Sequence, residues 1–219
     1  MFKKLFSYIL PITIHKKKSS ISKSLEVTWA NGELVLDSKN TNYSYGSLQR
    51  ILRKGLKIVG FERIKSMKNI LVLGVAGGSV IKTIVDEVKF KGNIIGVEID
   101  KEIIALANDY FKLNEIPNLK IFIDDSYDFV LKTNDHYDLI IIDIFQDTTM
   151  PNFLFEKFFM NRIGLLLNPK GVVLFNTMIL NEKDNQRNKK YVAEMGSIQF
   201  KTKIIPRVEE HNELIVLEK

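Results

Sequence analysis

The chain has 219 residues, 45% of them hydrophobic and 26% charged, proportions that suit one globular domain with a full core and a small appendage. Cysteine is absent, which excludes disulfides, thiolate metal sites and cysteine nucleophiles together. The formal net charge of +6 arises from lysines spread along the whole chain, and so describes a solvated surface better than a nucleic-acid face.

The first segment, Met1 to Lys18, holds an apolar run from Phe6 to Ile14 that Pro11 interrupts. The run is too short to span a bilayer, lacks a small-residue cleavage site, and leads into lysines that oppose export. The expectation is a terminal strand or helix packed on the domain or on a partner chain, in a cytoplasmic protein without membrane association. A homodimer is compatible with that packing. Next, Leu25 to Trp29 and Glu33 to Asp37 flank Ala30-Asn31-Gly32, and Asn-Gly between two alternating runs predicts a hairpin. In the polar, aromatic stretch from Asn40 to Gly46, Tyr43 and Tyr45 can line a ligand site or pack at a junction. Leu48, Ile51, Leu52 and Leu56 then define a helix with Ser47 near its start.

The chain is organised around Asn69 to Gly78. Ile70 to Leu73 is a short continuous apolar run, as a strand buried on both faces requires. Gly74, Gly77 and Gly78 interrupt it, and Val80, Ile81, Ile84, Val85 and Val88 then repeat at helical spacing. Such a glycine turn lets a backbone approach a ligand where side chains would occupy its space. A second apolar strand, Asn93 to Val97, ends in Glu98, about twenty residues on, where an acid can accept both hydroxyls of a ribose. Together these features predict a nucleoside-binding βαβ unit.

The alternation continues. Leu119 to Ile123 predicts a strand ending in Asp124-Asp125-Ser126, and Asp138 to Ile142 another ending in Asp143. Phe153 to Leu167 reads as a helix stopped by Pro169-Lys170-Gly171, and Val172 to Phe175 as a fifth strand. Asn181 to Lys190 is a polar linker or short helix, while Ile198 to Ile205 and Glu213 to Leu217 can close the domain as an antiparallel pair. The fold class is therefore α/β, a doubly wound and mostly parallel sheet with a small N-terminal β-hairpin module, and ligands belong at the strands' carboxyl ends. His15, His136 and His211 are too scattered to form a metal site.

The order and spacing of these motifs resemble the class I S-adenosylmethionine-dependent methyltransferase fold, and within it the spermidine synthase family. Gly32 to Asp37 is similar to that family's N-terminal module, and Val97-Glu98-Ile99-Asp100 to its Val/Cys-Glu-Ile-Asp segment. Gly74 to Gly78 stands where its glycine-rich loop lies, and Leu154-Phe155 with Phe158-Phe159 resembles its helix after the fourth strand. The resemblance, which covers roughly residues 25 to 176, implies a β-rich module over 1–46 and a cofactor-binding domain over 47–219. It implies cofactor contacts from Gly74, Ala76, Gly77, Gly78, Glu98, Ile99, Asp125 and Ser126, with Asp125 holding the adenine amino group. Asp143 and Asp147 become the candidate catalytic acids, the cofactor S-adenosylmethionine or its decarboxylated form, and no metal is required.

The sequence also departs from that family. Its Asp-Ser-Ser-Asp-Pro segment, which binds and deprotonates an amine, is replaced by Asp143-Ile144-Phe145-Gln146-Asp147. The Asp-Glu pair expected after the hairpin has no counterpart in Thr41 to Tyr45, and Pro206 to Glu210 replaces a Pro-Ser/Thr-Gly turn. The expectation is thus a small-molecule methyltransferase or other alkyl transferase, with polyamine aminopropyl transfer second and a non-catalytic nucleoside-binding protein third. A nicotinamide oxidoreductase would need Gly-x-Gly-x-x-Gly, but Ala76 fills the second slot.

Overall fold

The structure is a computed structural model that describes every residue except Met1, Ser20, Lys23, 39–41, 147–148, 198–199 and 210; at Ser38, Asn42 and Tyr43 it describes the backbone alone. Its central sheet contains β5 (Asn69–Leu73), β6 (Asn93–Glu98), β7 (Leu119–Ile123), β8 (Tyr137–Ile142), β9 (Leu167–Met178), β10 (Lys201–Val208) and β11 (Asn212–Glu218). The order is β10-β11-β9-β8-β5-β6-β7, with β9-β8-β5-β6-β7 parallel and β10 and β11 antiparallel additions at one edge.

The run at β5 is continuous because both faces of the sheet are covered. Ile70 and Val72 face one core cluster, with Leu52 and Leu56 of helix α2 (Gly46–Val59), Ile64 of α3 (Phe61–Lys65) and Ile81 of α4 (Ser79–Lys82). Leu71 and Leu73 face the other, with Phe159 and Ile163 of α7 (Lys157–Leu166) and Tyr191 of α8 (Glu182–Ser197). Helices on both sides leave the carboxyl edge of the parallel strands as the open edge.

The N-terminal hairpin forms as expected, between β2 (Leu25–Ala30) and β3 (Glu33–Ser38). With β1 (Ile12–Lys17) and β4 (Asn42–Ser44) it makes a four-stranded antiparallel sheet. Leu25, Val27 and Leu36 of this sheet pack on Ile103, Leu106 and Phe111 of α5 (Lys101–Phe111). Of the terminal segment, β1 is paired, but α1 (Phe2–Phe6) buries no residue.

Several boundaries differ from expectation. Ser47 does stand near the start of α2, which begins at Gly46, but the helix has no side-chain cap. The stripe after the glycines is a four-residue α4 followed by a π-helical turn, Thr83–Glu87. The segment around Phe153 divides into a 3-10 turn, Asn152–Phe155, and α7. Pro169 does not end that helix: β9 has already begun at Leu167, so the strand is longer than its apolar stretch. The polar segment from Asn181, expected as a linker or short helix, leads into the sixteen-residue α8 at Glu182, which Tyr191 and Met195 anchor in the core. The closing strands are paired as expected, although Ile198 lies outside the described residues. Among the described residues no helix is long and apolar enough to cross a membrane.

Candidate active site

The open edge of the sheet encloses a cavity of about 540 Å3. Gly74, just past β5, shapes its floor. The Gly74 N–H donates to the Val97 carbonyl at 3.0 Å, and the Asp143 N–H to the Leu73 carbonyl at 2.9 Å. Gly74 has φ +85°, and a Cβ there would lie 2.2 Å from the Asp143 carbonyl oxygen. Gly77 is crowded by Ser44, and Gly78, at φ +81°, by Leu113. At all three positions an added Cβ would meet the protein's own atoms, so the packing of the turn itself also calls for glycine. Gly74 and Ala76 line the cavity; Gly77 and Gly78 do not.

Glu98, the last residue of β6, is 7% exposed and holds this turn. Its Oε2 accepts the Val75 and Ala76 N–H groups at 3.1 and 3.0 Å, and its Oε1 accepts the Asp100 N–H at 3.1 Å. Burial pushes its carboxyl above the usual range, and the three N–H donors oppose that rise. Ala76, a non-glycine residue at φ +47°, is thus pinned in a left-handed conformation beside the cavity. Ile99 also lines the site. So does Asp100, which the sequence reading did not single out; its Oδ1 caps α5, and its buried Oδ2 has no hydrogen-bond partner.

Asp125 and Ser126 form the next wall. Asp125 caps α6 (Ser126–Lys132), its Oδ1 accepting the Tyr127 N–H at 2.7 Å. Asp143 follows β8 and stands at the junction of the two halves of the cavity. The Asn176 Nδ2 donates to its Oδ1 at 2.8 Å, and the Asn212 Nδ2 donates to the Asn176 Oδ1 at 3.0 Å. Asp143 is half-buried, with one side open to the cavity. Desolvation raises its carboxyl to about 7 against the Asn176 hydrogen bond, and the negative charge of Glu98 adds to the rise.

The structure does not bring every expected residue into the site. The Tyr45 ring stacks on Phe111 with centroids 4.4 Å apart, away from the cavity lining. Burial raises its phenol. The Tyr43 side chain and Asp147 lie outside what is described. Gln146, which lines the cavity, forms an isolated antiparallel bridge with Thr149, the two exchanging backbone hydrogen bonds at 2.8 and 3.0 Å. The remaining wall is largely apolar, with Leu48, Ile51, Phe145, Pro151, Phe153 and Met178. At its rim Glu209 is held by a two-pronged pair to Arg50 at 2.9 and 3.0 Å. Asn176, Asn212 and this wall were missed by the sequence reading, because long-range strand pairing and helix packing assemble them. Among the described residues no group of three or more His, Asp or Glu could hold a metal ion.

Residues 50–218 match the family model for the spermine/spermidine synthase domain. Among curated proteins the chain is similar to a "probable polyamine aminopropyl transferase" of Bifidobacterium longum, 29% identical over 128 residues, covering 58% of this chain and 28% of that protein. It is also similar to the eEF1A lysine and N-terminal methyltransferase of Bos taurus, 30% identical over 118 residues, covering 49% of this chain and 17% of that one. The chain thus spans well under half the length of these two relatives. Its fold is shared with a spermidine synthase solved with the transition-state analogue AdoDATO, at TM-score 0.71 and 18% identity, covering 95% of this chain and 74% of that one. Human methyltransferase-like protein 13, solved with SAH, shares it at TM-score 0.67 and 22% identity, covering 78% and 82%.

Proposed function

The chain belongs to the spermine/spermidine synthase domain family, and from that premise we propose an adenosylmethionine-dependent group transferase that methylates a small molecule. The observation that carries this reading is the set of three acids, Glu98, Asp125 and Asp143, that line one cavity at the carboxyl ends of β6, β7 and β8. The cavity's volume lies within the roughly 300–1,000 Å3 of small-molecule sites.

The residues present fit the cofactor. Of the roughly four acceptor sites of a carboxylate, Glu98 keeps one beyond its three backbone donors, enough to accept from a ribose hydroxyl. Asp125 uses one oxygen as a helix cap and can offer the other to an adenine amino group. Bound adenosylmethionine supplies a carbon activated by a sulfonium, with a neutral thioether as leaving group. The chain's part is to hold an acceptor in line and to take its proton. Asp143, with its carboxyl at about 7, is poised to accept that proton near neutral pH. The apolar wall of Leu48, Ile51, Phe145 and Phe153 favours an acceptor with a hydrocarbon or aromatic body. The same reading takes the protein to be cytoplasmic, with a small-molecule partner.

Aminopropyl transfer to a polyamine is the second reading, favoured by the family model and by the names of several relatives. Against it, Gln146 lines the cavity where a second acid is expected, and Arg50 already engages Glu209. Titration calorimetry with adenosylmethionine and its decarboxylated form, followed by turnover with putrescine, separates the two. Preference for adenosylmethionine and negligible methylthioadenosine release are expected. Preference for the decarboxylated form with rapid methylthioadenosine release would restore aminopropyl transfer. Tight binding with no turnover on any acceptor would leave a nucleoside-binding protein.

A further inference from the structure

Asp143, Asn176 and Asn212 come from the adjacent strands β8, β9 and β11 or the residue just past them, and Asp143 and Asn212 line the cavity. Asp143 follows Ile142, which pairs with Phe175 across β8 and β9 and so brings Asp143 beside Asn176. Across β9 and β11, Asn176 pairs with Leu214. Asn212 lies two residues before Leu214 and therefore on the same face as Asn176. Asn176 is fully buried and Asn212 is 8% exposed, so neither amide can exchange partners freely with water.

An asparagine amide has nearly the same shape either way round, but its two ends have opposite hydrogen-bonding character. Turned one way, Asn176 gives Asp143 an N–H donor; turned the other, it presents a carbonyl oxygen that repels a carboxylate. The Asn212 Nδ2 donates to the Asn176 Oδ1 at 3.0 Å, which fixes the first orientation and leaves the Asn176 Nδ2 directed at Asp143, 2.8 Å away. We infer that Asn212 and Asn176 form a positioning relay, in which Asn212 sets the orientation of Asn176 so that Asp143 always meets a donor. The relay's catalytic value rests on the reading of Asp143 as the proton acceptor; its effect on Asp143 does not.

Among the described residues, the other titratable groups that line the cavity are Glu98 and Asp100 on the β6 side, Asp125 at the head of α6, and Glu209 and His211 between β10 and β11. Glu98 raises the Asp143 carboxyl, and Asn176 is the side chain that lowers it. Loss of the relay therefore drives the Asp143 carboxyl upward.

The test is the pH titration of the Asp143 carboxyl, followed by 13C NMR in protein labelled at aspartate and assigned by the signal lost in Asp143→Asn. Asn176→Leu and Asn212→Leu keep volume and remove the polar ends. Both are expected to raise the titration midpoint, by about 0.5–1 unit for Asn176→Leu and less for Asn212→Leu. Asn212→Ser, which retains a donor, should move the midpoint back toward the parent. If Asn212→Leu does not melt cooperatively, Asn212→Ala is measured with the same expectation. An unchanged midpoint in a folded Asn212 variant overturns the relay, even if Asp143→Asn abolishes turnover. A raised midpoint with full turnover in Asp143→Asn overturns the catalytic reading and leaves the relay standing.

Discussion

At the end of the cavity proposed for the nucleoside, Glu98 ends β6 and accepts N–H groups from the neighbouring glycine turn and from its own, while Asp125 follows β7 and caps the helix after it. At the acceptor end, the lining comes from α2, the loop after β8, the end of β9 and the β10–β11 turn. The first region is set by secondary structure, because a strand end and a helix start fix where each acid lies. The second is set by how distant segments pack. A fold of this kind can keep its cofactor end while its acceptor end diverges, which is why the functional question concentrates on Asp143, where the two regions meet.

That comparison breaks most sharply at Asp143. Replacing it with asparagine keeps the shape but removes the proton acceptor, and should lower methyl transfer by about 10²–10⁴-fold, the usual worth of general-base catalysis. Binding of the neutral nucleoside methylthioadenosine should stay within about threefold of the parent, well under the cost of a lost charged hydrogen bond. Single-turnover assays with radiolabelled adenosylmethionine check the first outcome, and calorimetry the second. Equal losses in both would mean that Asp143 belongs to the nucleoside end.

Gly74 joins the two regions through the backbone. Gly74→Ala requires a left-handed alanine and pushes its Cβ toward the Asp143 carbonyl oxygen. The expected destabilisation is about 2–4 kcal/mol, from the conformational cost plus overpacking. Denaturant unfolding measures it, and a loss below about 0.5 kcal/mol, no larger than an ordinary surface change, would show that the turn can relax.

The smallest effect concerns pH. The Asp143 carboxyl lies at about 7 in the folded protein against an ordinary 3.8, so the folded state keeps a proton that the unfolded chain releases. The resulting stability is fully present below the ordinary value and is lost as pH rises through about 7. Linkage gives about 1.4 kcal/mol per pH unit below that value, which the solvent-facing side of the carboxyl screens to about 1 kcal/mol in all. Between pH 5 and 8 the melting temperature of the parent should therefore fall relative to Asp143→Asn by on the order of 2–4 °C. Parallel melting curves would show that Asp143 is not held above its ordinary range.

The parallel sheet and the acids after β6, β7 and β8 could be read from the sequence because each rests on a local rule. A continuous apolar run gives a two-sided strand, and glycine or an acid marks its end. The start of β9 was not legible, since Asn168 to Gly171 look like a helix stop until pairing beside β8 extends the strand. Helix α8 was under-read because its mean composition is polar and only a few side chains, Tyr191 and Met195 among them, reach the core. In the site, Glu98 carries a second task that its position alone does not reveal, since its carboxylate also clamps the glycine turn. Tyr45 was ambiguous in the sequence, and its stacking on Phe111 became visible only when α5 met the N-terminal sheet. Asn176 and Asn212 lie on strands whose register no local pattern fixes, so their convergence on Asp143 had no sequence signal.

The most direct test of the account is calorimetry of methylthioadenosine binding to the parent and to Glu98→Ala. Glu98 accepts three backbone donors and is the acid proposed to accept from a ribose, so its loss should weaken binding about ten- to a hundredfold, corresponding to roughly 1.5–3 kcal/mol. Equal affinity in the two proteins, or no binding to the parent, would contradict a nucleoside site at the ends of these strands.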